Sequence, residues 1–306
     1  MINRPLVNEP ASMQDNPRRG ILLMIATTII FAAQDGISRY LAGSYDIITI
    51  VAIRYWFFAL FVCAFSARKS GGFKRAATTS QPWLQVGRGV LLVTQICVAV
   101  LGFSQVGLVQ FHAIFASYPL MVMALSVPFL GETVGWRRWL AVGCGFVGVL
   151  VILQPGSAAF GNNAIIPLCA AVLMATYGVL TRFAARRDNA MTSFFWTGVA
   201  GAIAITCVVP FFWHPPQGAD WWWMALLCIT GASGHYCLIS ALDTTHASTI
   251  QPFAYLQLVF ASAIGIVIFS DQLDRALVIG SVMIVGSGLF ALNRERRAHL
   301  SSPANR

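Results

Sequence analysis

The chain is short of charge. Of its 306 residues only 10% are Asp, Glu, Lys or Arg, while 57% are hydrophobic; soluble domains carry about 25% charged residues. A chain so poor in charge could not cover its own surface in water, which excludes an ordinary soluble domain. Acids are the scarcer sign, 11 against 20 Lys and Arg. Glu132, Asp243, Asp271 and Asp274 stand at the ends of apolar runs, mostly far apart in sequence, so the acidic clusters of a membrane transferase are missing and an enzyme is not expected. No G-x-x-x-x-G-K-[ST] loop is present to cradle nucleotide phosphates, which argues against ATP drive within this chain. The seven cysteines include no C-x-x-C pair and read as small packing residues rather than disulfides or metal ligands. His235 and Cys237 are two residues apart and do not share a helix face, so neither a metal nor any other cofactor is expected.

What is present is apolar length. The mean hydropathy is +0.71, and runs of about 20 apolar residues, enough to cross a hydrocarbon core, recur throughout. Ten spans are predicted: 20–41, 47–66, 84–104, 111–130, 136–153, 164–184, 192–213, 221–242, 248–269 and 276–292. The expected fold is an all-α polytopic membrane protein with short loops, a tail at 1–19 and another at 294–306. The net charge of +9 suggests an anionic partner, but the basic residues cluster between spans as topology signals do. No nucleic acid is expected as a partner, only membrane lipids and a small-molecule substrate. Arg18, Arg19, Arg68, Lys69, Lys74, Arg75, Arg88, Arg137, Arg138, Arg186, Arg187, Arg294, Arg296 and Arg297 fall on one side if the N-terminus is inside. That bias predicts both termini in the cytoplasm.

The chain also repeats itself. "SRYLA" (38–42) resembles "TRFAA" (181–185), and "FLGETVGWRRWLAVGCGFVGVLVIL" (129–153) parallels "FSDQLDRALVIGSVMIVGSGLFAL" (269–292). Two five-span halves, 20–153 and 164–293 around a linker at 154–163, follow. Five is odd, so the halves enter the membrane with opposite polarity and form an inverted repeat, a recurring build of secondary transporters.

Within those halves, "SYPLMVMALSVPFLGE" in the fourth span and "QPFAYLQLVFASAIGIVIFSD" in the ninth resemble the EamA modules of the drug/metabolite transporter superfamily. The ending "IGSVMIVGSGLFALNRERR" and the opening "FAAQDGISRYLAG" are similar to a bacterial branch with riboflavin-type and S-adenosylmethionine-type uptake carriers. The resemblance covers about residues 20–293 and is specific to fold rather than substrate. It implies a secondary carrier of the inner membrane, moving a vitamin-, nucleoside- or amino-acid-like metabolite by alternating access. Export of amino acids or drugs by the same fold is the alternative, with a channel or a membrane enzyme as other classes. The family supplies no universal catalytic residue.

Polar groups inside the spans are the candidate site. Asp35 lies about 22 Å up the first helix, Arg39 one turn higher, and Arg54 about 12 Å below the start of the second span. The expectation is that Asp35 is shared between Arg39 and Arg54, as a clamp between the first two helices or as a gating or proton-coupling carboxylate. Substrate contacts are expected from Gln95, His112, Tyr118, Tyr177, His235, Tyr236, Gln251, Tyr255 and Gln257, a set without fixed charge that suits a polar, not strongly anionic solute. Each could instead only bond a neighbouring helix. Pro119 and Pro252 are expected to bend their helices beside the cavity. Gly143, Gly145, Gly148, Gly280, Gly286 and Gly288 allow close helix approach, within the chain or across a homodimer. "DWWW" (220–223) and Trp213 suit a membrane interface.

Overall fold

The computed structural model describes residues 16–68, 72–131, 135–154, 165–244 and 250–300. Most of the 154–163 linker, Glu132 and the outer parts of both tails therefore lie outside the described residues, as do the side chains of Asp243 and Gln251. Eleven α-helices are found among the described residues. They are α1 (Pro17–Ala42), α2 (Ile47–Arg68), a short α3 (Gly72–Ala77), α4 (Pro82–Phe115), α5 (Tyr118–Leu130) and α6 (Trp136–Leu153). The second half contains α7 (Ile165–Ala184), α8 (Ala190–Val208), α9 (Asp220–Thr244), α10 (Leu256–Phe269) and α11 (Arg275–Leu300). Without α3 these are the ten expected spans. Local signals set their ends: Asn16 accepts the Arg19 N–H ahead of Pro17, and Asn189 accepts the Thr192 N–H at the start of α8.

The molecule is apolar outside and polar within. Leu22, Leu60, Ile203, Val267 and Val282 are largely exposed, whereas Gln34, Asp35, Gln85, Arg88, Gln95 and His112 are buried. Six helical segments are long and apolar enough to cross a membrane, and α5, α6 and α11 supply shorter apolar runs. This is a multi-pass membrane protein.

The packing displays the repeat. Helix α1 lies against α9 and α10, while its counterpart α7 lies against α4 and α5. The pairs α2–α8 and α6–α11 are their own images under the same exchange. Every one of these pairs joins a helix of one half to a helix of the other, so the halves interleave and neither forms a bundle of its own.

The expected helix bends fall elsewhere. Pro119 occupies the first turn of α5, after a break at Ala116 and Ser117, and Pro252 opens a 3-10 turn over Gln251–Tyr255 ahead of α10. Both prolines start helices rather than bending continuous ones, because a missing N–H costs nothing in a first turn. The true interruption is Gly107, whose φ of 81° and ψ of 168° split α4 into 82–106 and 108–115.

The glycines of α6 and α11 divide. A Cβ on Gly148 would stand 2.8 Å from the Gly280 carbonyl, and one on Gly280 would stand 2.5 Å from the Gly148 carbonyl. Those two pack within the chain; Gly143 and Gly286 meet no neighbour within 4 Å. Because the obstacle at Gly148 is backbone, Gly148→Val must force α6 and α11 apart. Overpacking of this kind costs about 1–3 kcal/mol, so the variant should melt several degrees lower in detergent. An unchanged melting temperature would refute this crossing.

Candidate functional site

Gly107 leaves the Leu108 and Val109 amides without helical partners at the head of a new helical segment. The Asp271 carboxylate, just past the end of α10, accepts both, at 2.8 and 3.2 Å. The same carboxylate takes Arg39 Nη1 at 2.7 and 2.8 Å, and the guanidinium rests 4.3 Å above the Phe269 ring. Ser270 turns into the left-handed region (φ 57°), and the Asp271 N–H returns to the Gly265 carbonyl. Only glycine fits at 107, where φ is positive and a Cβ would lie 2.7 Å from Asp271 Oδ1. Arg39 is thus the partner of Asp271. The expected Asp35–Arg39 pair does not form, because side chains one turn apart on α1 are captured by different neighbours.

Asp35 forms its own junction. Its Oδ2 accepts Gln257 Nε2 at 3.0 Å and lies 3.2 Å from His112 Nε2. The histidine contact has ion-pair distance, but the ring nitrogen makes no hydrogen bond, so it is an electrostatic approach without directed N–H donation. His112 is stacked on Phe103 at 5.6 Å. Asp35 therefore ties α1 to the end of α4 and to α10, rather than to α2.

A small cavity opens between α2, α4 and α9. It is lined by Arg54, Tyr55 and Phe58 of α2, Leu92 and Ile96 of α4, and Cys228, Gly231, Ala232 and His235 of α9. His235 sits in an aromatic surround, its ring centre 5.2 Å from Phe31, 5.4 Å from Phe58 and 6.5 Å from Phe194. Arg54 makes no ion pair or hydrogen bond among the described residues, so a fixed charge faces the cavity where the sequence reading expected none.

At the opposite end of α4 a second polar junction forms. Arg88, 1% exposed, donates through Nε and Nη2 to Thr181 Oγ1 at 3.1 and 2.9 Å, and through Nη1 to Gln85 Oε1. Gln85 Nε2 passes the link to Asp188 Oδ2 at 2.8 Å, and Asp188 also accepts from Thr79 and Ser80. Arg88, read from sequence as a rim charge, is instead a buried tie between α4 and α7. Asp188 lies in the α7–α8 turn. Its burial favours the neutral acid, but the bonds from Gln85, Thr79 and Ser80 prevail and hold its pKa below the ordinary value.

The expected substrate residues scatter over these features. His235 lines the cavity, and Gln95 is buried on α4 within one turn of Leu92, without a hydrogen bond. His112 and Gln257 serve the Asp35 junction, while Tyr177 supports Arg88, its ring 5.2 Å from the guanidinium. Tyr255 places its hydroxyl over Gly288 of α11, and Tyr118 packs on Phe115. Tyr236 is 55% exposed and points away from the cavity, because it neighbours His235 on a helix with one inward face. Sequence reasoning missed Gln34, Tyr55, Gln85 and the central part of Asp271. The pairing of Arg54 with an adjacent tyrosine in a span was the one signal that could have exposed Tyr55.

The model of the EamA-like transporter family matches residues 18–154 and again 163–293. The chain belongs to the EamA-like transporter family. Both matches fall on the two five-helix halves, so this EamA-like protein is a small-metabolite transporter of the drug/metabolite fold and not an enzyme. It is similar to an S-adenosylmethionine uptake transporter of Rickettsia felis, 25% identical over 91% of this chain and 94% of the relative. A riboflavin transporter of Rhizobium johnstonii is 27% identical over 91% of this chain and 92% of its own. A solved crystal structure with 15% identity superposes at TM-score 0.63, covering 92% of this chain and all of the other, which supports the fold alone.

Two consequences can be measured. Asp271→Ala leaves Arg39 and two amides unpaired at once, and breaking a buried pair costs about 3–5 kcal/mol. It should lower yield and melting temperature far more than Asp35→Asn, which keeps the Gln257 contact geometry; equal losses would contradict the central place given to Asp271. Asp188 stabilises the fold only while ionised, since its folded pKa is depressed. Its contribution is present above the unfolded value of about 3.9 and lost as pH falls through the lower folded value. Asp188→Asn should therefore melt below wild type at pH 7, and the two melting curves should converge near and below that range. A gap that persists at acid pH would place the effect elsewhere.

Proposed function

We propose that this transporter is a secondary carrier of the inner membrane, with both termini cytoplasmic, that takes up a metabolite bearing a flat heterocycle by alternating access. The supporting observation is the stacking of three features along α4. At 1.5 Å per residue, Leu92 and Ile96 of the cavity lie about 9 Å from Arg88 and about 21 Å from Leu108. A cavity flanked by a polar closure at each end is what rocking of inverted halves about a central site requires. Opening one way would release the Arg39–Asp271 junction, which joins α1, α4 and α10. Opening the other way would release the Gln85–Arg88–Thr181–Asp188 junction, which joins α4, α7 and α8.

The heterocycle follows from the walls. Phe58 and His235 offer ring faces and edges, and the solutes named for the two relatives, S-adenosylmethionine and riboflavin, both carry fused nitrogen rings. Uptake is the direction named for the Rickettsia relative.

The test is counterflow in proteoliposomes with labelled S-adenosylmethionine and labelled riboflavin. Preloading with unlabelled solute should accelerate entry of the transported one. Entry without acceleration would mark a channel, and no entry of either solute would overturn the proposal.

A further inference from the structure

We infer that Arg54 and Tyr55 form the receptor for a carboxylate on the transported solute, so that the solute carries a zwitterionic aminocarboxylate end and is not a neutral vitamin. This rests on the transport reading above and adds the charge of the substrate to it. The argument begins with cost. An arginine within a membrane span is expensive and is normally paired, and the other in-span arginines described above follow that rule. Arg39 has Asp271, and Arg88 has Thr181 and Gln85. Arg54 alone of these three has no partner among the described residues, and the available carboxylate, Asp35, is turned to Gln257 and His112.

Two more polar atoms near the cavity are also unsatisfied. The Tyr55 hydroxyl is buried without a partner, and so is Gln34 Oε1. Both Arg54 and Gln34 converge on Gly231 of the cavity wall: a Cβ there would lie 3.2 Å from Gln34 Oε1 and 3.6 Å from Arg54 Nε. A glycine at 231 keeps this corner open. Guanidinium and phenol are both donors, and together they match the two oxygens of a carboxylate. Gln34 Oε1 is an acceptor, suited to an ammonium on the adjacent carbon. A solute held there by its charged end would meet Phe58 and His235 on the same wall.

Buried polar groups left unpaired in the empty protein penalise it until the ligand satisfies them. That gives a readout a structural arginine would not show. Removing a half-buried charge that has no hydrogen bond or ion pair among the described residues should leave the ligand-free protein about as stable, so Arg54→Met should not lower the melting temperature without ligand. The binding test uses S-adenosylmethionine, decarboxylated S-adenosylmethionine and riboflavin on the purified full chain in detergent. The first two share adenine, sulfonium and ammonium and differ only in the carboxylate. Wild type should bind S-adenosylmethionine on the order of a hundredfold more tightly than its decarboxylated form, the scale of a lost buried charge partner. Arg54→Gln should bring the two affinities together, and Tyr55→Phe should narrow the gap in part.

Equal binding of both forms by wild type overturns the inference, as does a preference that survives Arg54→Gln, binding of riboflavin alone, or no binding of any of the three. A fall in ligand-free stability of Arg54→Met overturns it too. Carboxylate-selective binding without counterflow would retain the inference and refute the transport reading. Counterflow without carboxylate selectivity would do the reverse.

Discussion

The turn at Gly107 frees two backbone amides of α4, and in this protein the Asp271 carboxylate accepts both. A buried backbone N–H left unpaired costs about as much as a lost hydrogen bond. Asp271 accepts the Leu108 and Val109 amides and neutralises Arg39 in the same place. One side chain thereby joins α1, α4 and α10, which come from both halves of the repeat. The break at Gly107 is what lets 108–115 change direction and carry His112 to Asp35.

The treatment of charge then separates scaffold from site. Arg39 and Arg88 are surrounded by acceptors at opposite ends of the bundle, and both hold helices of different halves together. Arg54, between those depths, faces a cavity and has no hydrogen bond or ion pair among the described residues. A protein held by a few marginal kcal/mol keeps such a penalty only where something offsets it, and in a transporter the solute is the natural counterpart. The aromatic surround of His235 completes a pocket with one charged corner and apolar, ring-bearing walls.

Much of the architecture was legible in the residues. Ten apolar runs and the parity of five spans per half were enough for a polytopic inverted repeat, and the matched ends at 129–153 and 269–292 located the halves. The candidate site was legible only in part. His235 was expected at the cavity and is there, whereas Tyr236, one residue on, faces outward because a helix turns about 100° per residue. Asp35 was singled out for Arg39 and Arg54, yet its partners are His112 and Gln257. Glycine content drew attention to α6 and α11, but Gly107, which carries the positive φ, lies in an unremarkable "SQVGLVQ".

By itself the sequence determined what depends on composition and on the order of elements: the membrane as solvent, the number of spans, the repeat, and the family. Those follow from hydropathy and chain order, which no packing detail alters. Tertiary structure alone decided which charges are partnered. Asp271 meets Arg39 across more than two hundred residues, Gln85 and Arg88 meet Asp188 and Thr181, and Arg54 has no hydrogen bond or ion pair among the described residues. Pairing depends on distances of a few ångströms between side chains remote in sequence, and spacing along one helix does not encode them.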